Sequence, residues 1–574
     1  MPGSVITLPG TPNPADPTTG FQFVIEPGES GWYHSDGLPY WLSAFQVGAM
    51  RSWCHATQGG PFLRNLMYHF ADDWPTYGSA VHPTTEGDPV LGWQTSDMAI
   101  KLKELHISSF RSVELRIDIN IQETDNPNQH GVINLIRADF PVYGLAGFPI
   151  FVYGGPIVTY MSYDIYMGVT DQDLVEYANQ PFPGMTDGYL QGYSHAATHE
   201  FGHALGLFHT FSGLKLPGFE DNQEFTRMSY TSMTQNPYGD NVFVDFTDMD
   251  TAALQFLYGP SKKVRTGDDT YVLNESKPNW LWDSVGIDTI DASELNAPVT
   301  ISLHPGYWGY IGSARGYGIT APGSVTVNFG STFENVIGSA FNDTFTGNET
   351  DNRIDGRAGI DTVLFTHARS SYNLERLADG NWITRDQHAL PATPQPLINI
   401  DNSTVNWFGM PPSDGLAAVP FDGNDGIDTL IGVERMRFAD HSLALDLAEG
   451  QSGNVVARLI GAAFGKSYLA NKYLIGAGLS LVDGGLGIEA LCQLIVDNQY
   501  LGPLAGGIDN DSVLKLVFNN VVGRSATEAD LTELLPLVNQ QGQAWLLHAA
   551  AVLPATDIQI DLVGLQAAGL PFVG

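Results

Sequence analysis

Apolar and polar positions follow three successive patterns along the chain. Between about residues 30 and 260, stretches with apolar residues at helical spacing, such as SDMAIKLKELHISSFRSV, alternate with period-two stretches such as ELRIDINIQE. The first spacing puts one apolar face on a helix and the second fills one face of a strand, which predicts a mixed α/β domain. From about 261 to 449, short β-prone runs are separated by Gly, Asn and Asp, the pattern of brief strands joined by tight turns. From about 450 helical periodicity returns, and ARLIGAAFGK and LKLVFNNVVGR echo each other, which predicts a bundle with core-facing Leu, Val and Phe. The chain of 574 residues is long enough for several separate cores. Its expected organisation is a flexible Pro-, Thr- and Gly-rich leader at 1–29, an α/β domain at 30–260, an all-β domain at 261–449 and an all-α domain at 450–574.

Inside the β-rich part a nonapeptide period is visible: GSAFNDTFT from Gly338, GNETDNRID from Gly347 and GRAGIDTVL from Gly356. Asp343, Asn352 and Asp361 recur at the sixth position, and Phe345, Ile354 and Val363 at the eighth. This is the spacing of a parallel β-roll in which turn carbonyls and the aspartate hold Ca²⁺ while the apolar residue points inward. Only the third unit has glycine at both its first and fourth positions, Gly356 and Gly359, so Asp343, Gly356, Gly359 and Asp361 are the calcium candidates. A later fragment, DGNDGIDTLIGVERMRF from Asp422, repeats the pattern once.

Charge narrows the function. With 26 Lys+Arg against 63 Asp+Glu the net charge is -37, which disfavours nucleic acid and anionic membrane surfaces as partners. The uncharged run from Phe140 to Tyr163 carries Pro141, Pro149 and Pro156 and four glycines, which would break a spanning helix, so it reads as strands and turns and no transmembrane segment is expected. Cys54 and Cys492 are far apart and give no disulfide framework. The N-terminus lacks the basic and apolar regions of a signal peptide, whereas the last stretch, LVGLQAAGLPFVG, is uncharged, as a C-terminal export signal would be.

The strongest chemistry lies in HEFGHALGLFH, His199 to His209, followed by Met228-Ser229-Tyr230. His199 and His203, four apart on a helix, present both imidazoles on one face and fill two corners of a tetrahedral zinc site. Glu200 then stands beside the metal, where a general base takes a proton from activated water. Gly206 allows the helix to end in a sharp turn, which brings His209 back as third ligand. The H-E-x-x-H-x-x-G-x-x-H spacing with a later Met segment is the metzincin pattern.

On these residues the chain resembles the serralysin-type metzincins, secreted bacterial zinc endopeptidases with a calcium-binding β-roll. NLMYHFADDWPTYG (Asn65 to Gly78) is similar to their first strand, DMDTAALQFLYG (Asp248 to Gly259) to their last catalytic helix, and RTGDDTY and LWDSVGIDTIDAS to the entry of their calcium domain. The resemblance implies that Tyr230 is a zinc ligand that moves to stabilise the oxyanion, that Met228 forms an apolar floor, and that YDIYMG (Tyr163 to Gly168) is the edge strand that aligns substrate. It also implies calcium ligation by Arg265, Gly267, Asp283, Gly286 and Asp288, joined by Thr332 and Glu334. The fold class so implied is multidomain: an α/β metzincin catalytic domain, an all-β parallel β-roll or sandwich and an all-α C-terminal domain.

The expected function is a secreted zinc endopeptidase with Zn²⁺ and Ca²⁺ as cofactors, acting on extracellular proteins. Expected partners are a protein or peptide substrate, the type I secretion machinery and a cell-surface partner of the helical tail. The alternative is a cell-surface or matrix-associated calcium-binding protein with vestigial peptidase activity, which degenerate metal ligands would favour.

Overall fold

The computed structural model describes residues 4–6, 23–25, 39–45, 65–72, 91–93, 97–127, 131–138, 145–146, 150–154, 157–168, 188–212, 215–231, 245–387 and 425–573. Most of the leader, Cys54 and the far end of the Asn65–Gly78 segment lie outside these residues; within the leader, Ser4–Ile6 pairs antiparallel with Phe23–Ile25. The described residues contain a mixed α/β part, a β-rich part and a helical part. The chain forms two compact units: Met1–Thr289 with His304–Phe333 and Gln395–Pro420, and Ile290–Leu303 with Glu334–Pro394 and Phe421–Gly574.

The first unit is organised on parallel strands. Asn65–Ala71 pairs on one side with Asn120–Glu123 and on the other with Val132–Ala138, which pairs in turn with Ile157–Gly168, all parallel. The helical and alternating segments become the helix Asp97–Glu114 and the strand Asn120–Glu123, with Ile117, Ile119 and Ile121 buried. The described residues of the Phe140–Tyr163 run form strands: Ile150–Gly154 folds back antiparallel onto the start of Ile157–Gly168. One expectation changes here. Tyr163–Gly168 is not a free edge, because Leu145–Ala146 pairs antiparallel with Tyr166 and Ile165. The preceding segment satisfies the strand's outer backbone groups, which an isolated edge would leave open.

The helix Gly188–Ala204 carries the histidine motif and packs on Asp97–Glu114, with the Phe110 and Phe201 rings 4.7 Å apart. Behind it lies the helix Asp248–Tyr258, whose Ala252, Ala253 and Leu254 are buried in the same core. Trp308, Ile319 and Phe329 join that core, and Trp41 meets Trp280 edge-on at 5.1 Å.

The second unit holds the nonapeptide region. Val299–Ser302, Thr344–Thr346, Thr362–Leu364 and Arg435–Arg437 form one parallel ladder, and Asn335–Ile337, Arg353–Asp355 and Ile427–Ile431 form another. Phe345, Ile354 and Val363, the eighth-position residues, are wholly buried, as the repeat predicts. The late fragment stacks directly on the repeats, with Leu430 opposite Ile354 and Met436 opposite Val363. Helices then pack on one another around Leu459, Leu491, Val517 and Leu547, and Val456 and Ile475 pack with Ala444 and Leu570 of the strands. The final strand, Leu570–Phe572, returns to pair antiparallel with Ser442–Ala444, so the uncharged C-terminal stretch contributes a buried Leu570 to this sheet. Arg435 is buried between Asp446 and Asp483, which ties the last parallel strand to the helices. Among the described residues no helix is long and apolar enough to cross a membrane.

Candidate metal centre

The structure brings His199, His203 and His209 into one group. The His209 Nε2 lies 3.1 Å from the His199 Nε2 and 3.0 Å from the His203 Nε2. The other nitrogen of each helical histidine is engaged: His199 Nδ1 lies 2.7 Å from the Arg227 carbonyl and His203 Nδ1 2.7 Å from the Leu207 carbonyl. A carbonyl only accepts, so in both rings Nδ1 carries the proton and Nε2 presents a lone pair. Two lone pairs and the third ring nitrogen therefore converge on one point, a donor set suited to one cation. Tetrahedral zinc with bonds of about 2.0–2.1 Å separates its donors by about 3.3 Å, close to what is seen. Burial lowers the pKa of His199 to about 4 and of His203 to about 3, and lowers that of His209, so all three stay neutral and able to ligate.

Local sequence explains this geometry. Gly206, at φ +101°, ends the helix: its N–H bonds to the His203 carbonyl and the Leu207 N–H to the Gly202 carbonyl, the Schellman arrangement. The same turn aims the Leu207 carbonyl at His203 Nδ1, so one glycine both releases His209 and orients His203. His209 stacks on Phe211 with centroids 4.6 Å apart. Met228 is wholly buried beneath the helix, where a methyl added at Gly202 would come within 2.5 Å of its Sδ. Tyr230 lays its ring 5.2 Å from His199 and 4.7 Å from His209 yet remains exposed. Partial desolvation, then the charge of Glu200, raises the Tyr230 pKa, so the phenol stays a hydrogen-bond donor. Glu200 itself is buried.

Two carboxylates that the motif does not reveal hold the segment between His209 and Met228. Asp250 accepts from Thr226 Oγ1 at 2.6 Å, Arg227 N at 2.9 Å and Thr247 N at 3.0 Å, so the start of the last helix fixes the peptide whose carbonyl orients His199. The helix-start signature Thr247–Asp250 was the available signal, but its second task joins residues far apart in the sequence. Glu220, wholly buried, accepts from Tyr40 Oη at 2.7 Å and Thr320 Oγ1 at 2.8 Å.

The calcium candidates fall into two places. Asp269, Asp283 and Asp288 form an acidic group in the first unit; Asp269 was not foreseen and donates its N–H to Asp288 Oδ1. A side chain at Gly286 would lie 2.3 Å from the Gly267 carbonyl oxygen and 2.9 Å from Asp288 Oδ1, so only glycine leaves these oxygens their approach. Arg265 holds a left-handed backbone at φ 52° and its carbonyl accepts from Ser284 Oγ at 2.6 Å. Thr332 is exposed in the first unit, and Glu334 belongs to the second.

In the ladder the turns stack. Asp343 N donates to Asp361 Oδ1 at 2.8 Å and Asp361 N to Glu434 Oε2 at 2.9 Å; on the other side Asn352 N donates to Asp428 Oδ1 at 3.1 Å. Glu434 and Asp428 thus extend the sixth-position series beyond the predicted residues. A methyl at Gly356 would lie 2.5 Å from the Gly432 carbonyl oxygen and 2.6 Å from Asp361 Oδ2, and one at Gly359 would meet the Phe341 carbonyl oxygen at 2.5 Å. Asp361 Oδ2 is buried without a hydrogen-bond partner. Burial, with Asp343 and Glu434 alongside, pushes Asp361 up to about 8, and burial pushes Glu434 up to about 7. Crowded carboxylates beside carbonyl oxygens are a donor set for a hard cation such as Ca²⁺. The expectation of zinc and calcium as cofactors therefore meets histidine and acidic groups suited to hold them.

No protein-family model matches the chain. Among curated proteins it is 33% identical over 181 residues to Serralysin G of Dickeya chrysanthemi, covering 28% of this chain and 37% of that protein. It is 30% identical over 208 residues to Serralysin of Proteus mirabilis, covering 31% and 40%. Metallopeptidase AprA of Pseudomonas marginalis is 31% identical over 190 residues, covering 27% and 38%. The matches thus span well under half the length of each relative. The histidine group and these similarities together show that the chain is similar to the serralysin-type metzincins over this part of its length.

Proposed function

We propose that the chain is a secreted zinc-dependent endopeptidase that hydrolyses peptide bonds of extracellular proteins. The observation that carries this reading is the convergence of the His199, His203 and His209 Nε2 atoms, with two rings locked by carbonyls. Zinc held by these histidines, with Tyr230 beside them, would supply Lewis acidity that polarises the scissile carbonyl and lowers the pKa of water. Glu200 is the general base that accepts the proton of the attacking water and passes it to the leaving amine. Tyr230 donates its hydroxyl to the developing oxyanion, and Met228 supports the histidines from below.

The domain reading that goes with this is a leader at 1–29, peptidase at 30–260, calcium domain at 261–449 and helical domain at 450–574. Calcium is held by Arg265, Gly267, Asp283, Gly286 and Asp288, and by Asp343, Gly356, Gly359 and Asp361. Export through a type I system places the protein outside the cell, where the helical tail meets a surface partner. A vestigial peptidase on a calcium-binding surface protein is disfavoured because His199, Glu200, His203, His209, Met228 and Tyr230 are all present. A casein zymogram with and without a zinc chelator tests the reading. Clearing that chelator abolishes and zinc restores is expected; clearing indifferent to chelator would refute it.

A further inference from the structure

The parallel ladder is interrupted after its Thr362–Leu364 strand. There the chain leaves it, makes the antiparallel hairpin Tyr372–Arg376 and Trp382–Asp386, and re-enters at Ile427–Ile431, on which the hairpin's second strand pairs. Three side chains meet where this excursion begins, where its hairpin ends and where it returns: His367, Asp386 and Asp425, with donor atoms within 4.8 Å of one another. His367 Nδ1 lies 3.3 Å from Asp386 Oδ2. The Asp425 N–H donates to the same Asp386 oxygen at 3.0 Å. The Asp386 side chain has 0% exposure, that of His367 20%, and Asp425 is buried.

Neutral groups orient this set. Asp425 Oδ2 accepts from the Tyr372 hydroxyl and, at 3.0 Å, from Thr366 Oγ1; those two oxygens also stand 3.3 and 3.1 Å from His367 Nδ1. Phe365, Tyr372 and Phe438 wall the place in, with centroids 5.0 Å apart for Phe365–Tyr372 and Phe365–Phe438.

We infer that His367, Asp386 and Asp425 form a site for a divalent first-row transition cation, with zinc as reference ion, separate from the histidine motif and from the glycine-rich turns. Two carboxylates and a neutral imidazole balance a divalent ion. An imidazole nitrogen in a set of three selects zinc-like ions over calcium, which takes oxygen. The Thr366 and Tyr372 hydroxyls serve as the outer contacts that hold a ligating carboxylate in position. The topology gives the ion a task. It clamps the exit and re-entry of a long excursion, and closure of such a loop is otherwise paid in chain entropy.

The test uses the full chain, stripped of metal, resupplied with millimolar Ca²⁺ to fill the turn sites, and titrated with Zn²⁺ against a chromophoric chelator. Two tight equivalents are expected in the parent and one in His203→Ala, which disables only the histidine motif. His367→Gln and Asp425→Asn should each lose one equivalent while casein cleavage is kept. One equivalent in the parent with none in His203→Ala would overturn the inference and leave His367, Asp386 and Asp425 as a hydrogen-bonded cluster only. A second equivalent retained by both His367→Gln and Asp425→Asn would overturn it too. Parent and His203→Ala decide the matter without touching the proposed site, and a parent that does not cleave casein would count against the proposed function, not against this site.

Discussion

Asp250 is the most informative position to perturb, because its effect on the metal runs through two hydrogen bonds. Its carboxylate, wholly buried, receives Thr226 Oγ1, Arg227 N, Thr247 N and Thr247 Oγ1 at 2.6, 2.9, 3.0 and 2.8 Å. Burial pushes its pKa up and these donors hold it down. Asp250→Ala strands two backbone N–H groups and removes the helix cap. At about 1–3 kcal/mol for each stranded group, plus about 1 kcal/mol for the cap, the loss of stability comes to about 3–7 kcal/mol. The Arg227 carbonyl then no longer holds His199 Nδ1, and loss of such an outer contact weakens metal affinity about 10–100-fold. Asp250→Asn keeps one acceptor oxygen and should fall between. Zinc competition and chemical denaturation, both in excess calcium, measure the two effects separately. A well-folded Asp250→Ala protein that binds zinc as the parent does would refute the coupling and leave Asp250 as a cap only.

Gly202→Ala puts a methyl against Met228 Sδ and should cost about 1–3 kcal/mol by overpacking, read as a lower denaturation midpoint; an unchanged midpoint would mean that Met228 moves freely. Tyr230→Phe should lower kcat by about ten- to several-hundredfold with little change in KM, and an unaltered rate would remove the hydroxyl from the chemistry. The calcium turns carry a pH signature. Asp361, raised to about 8 in the folded chain, binds its proton more tightly there than when unfolded, so without calcium stability is full below about pH 4 and falls as pH rises towards 8. The slope should not exceed about 1.4 kcal/mol per pH unit per proton, and excess calcium should flatten it; thermal melts in a calcium-selective chelator that do not change with pH would contradict this.

What the sequence disclosed and what it concealed divide by distance along the chain. The histidine motif is legible because helix geometry and one glycine fix it within eleven residues, from His199 to His209. Inward-pointing Phe345, Ile354 and Val363 are legible because the nonapeptide repeats them. Asp250 and Glu220 are hidden, since their partners Thr226 and Thr320 are fixed by tertiary packing. The fragment from Asp422 shows its kind but not its register, because an excursion separates it from the turns it stacks on. Tyr163–Gly168 looked like an edge because the pairing of Leu145–Ala146 leaves no periodic trace in so short a strand.

The central claim is that three histidines hold a metal while Glu200 moves the proton. Purified Glu200→Gln and His203→Ala, compared with the parent for bound zinc and for cleavage of a short peptide, test it most directly. The account predicts one zinc at the histidine motif of Glu200→Gln with cleavage reduced by orders of magnitude, and neither zinc there nor cleavage in His203→Ala. Parent-like turnover in Glu200→Gln, or zinc retained at the motif of His203→Ala with full affinity, would contradict it.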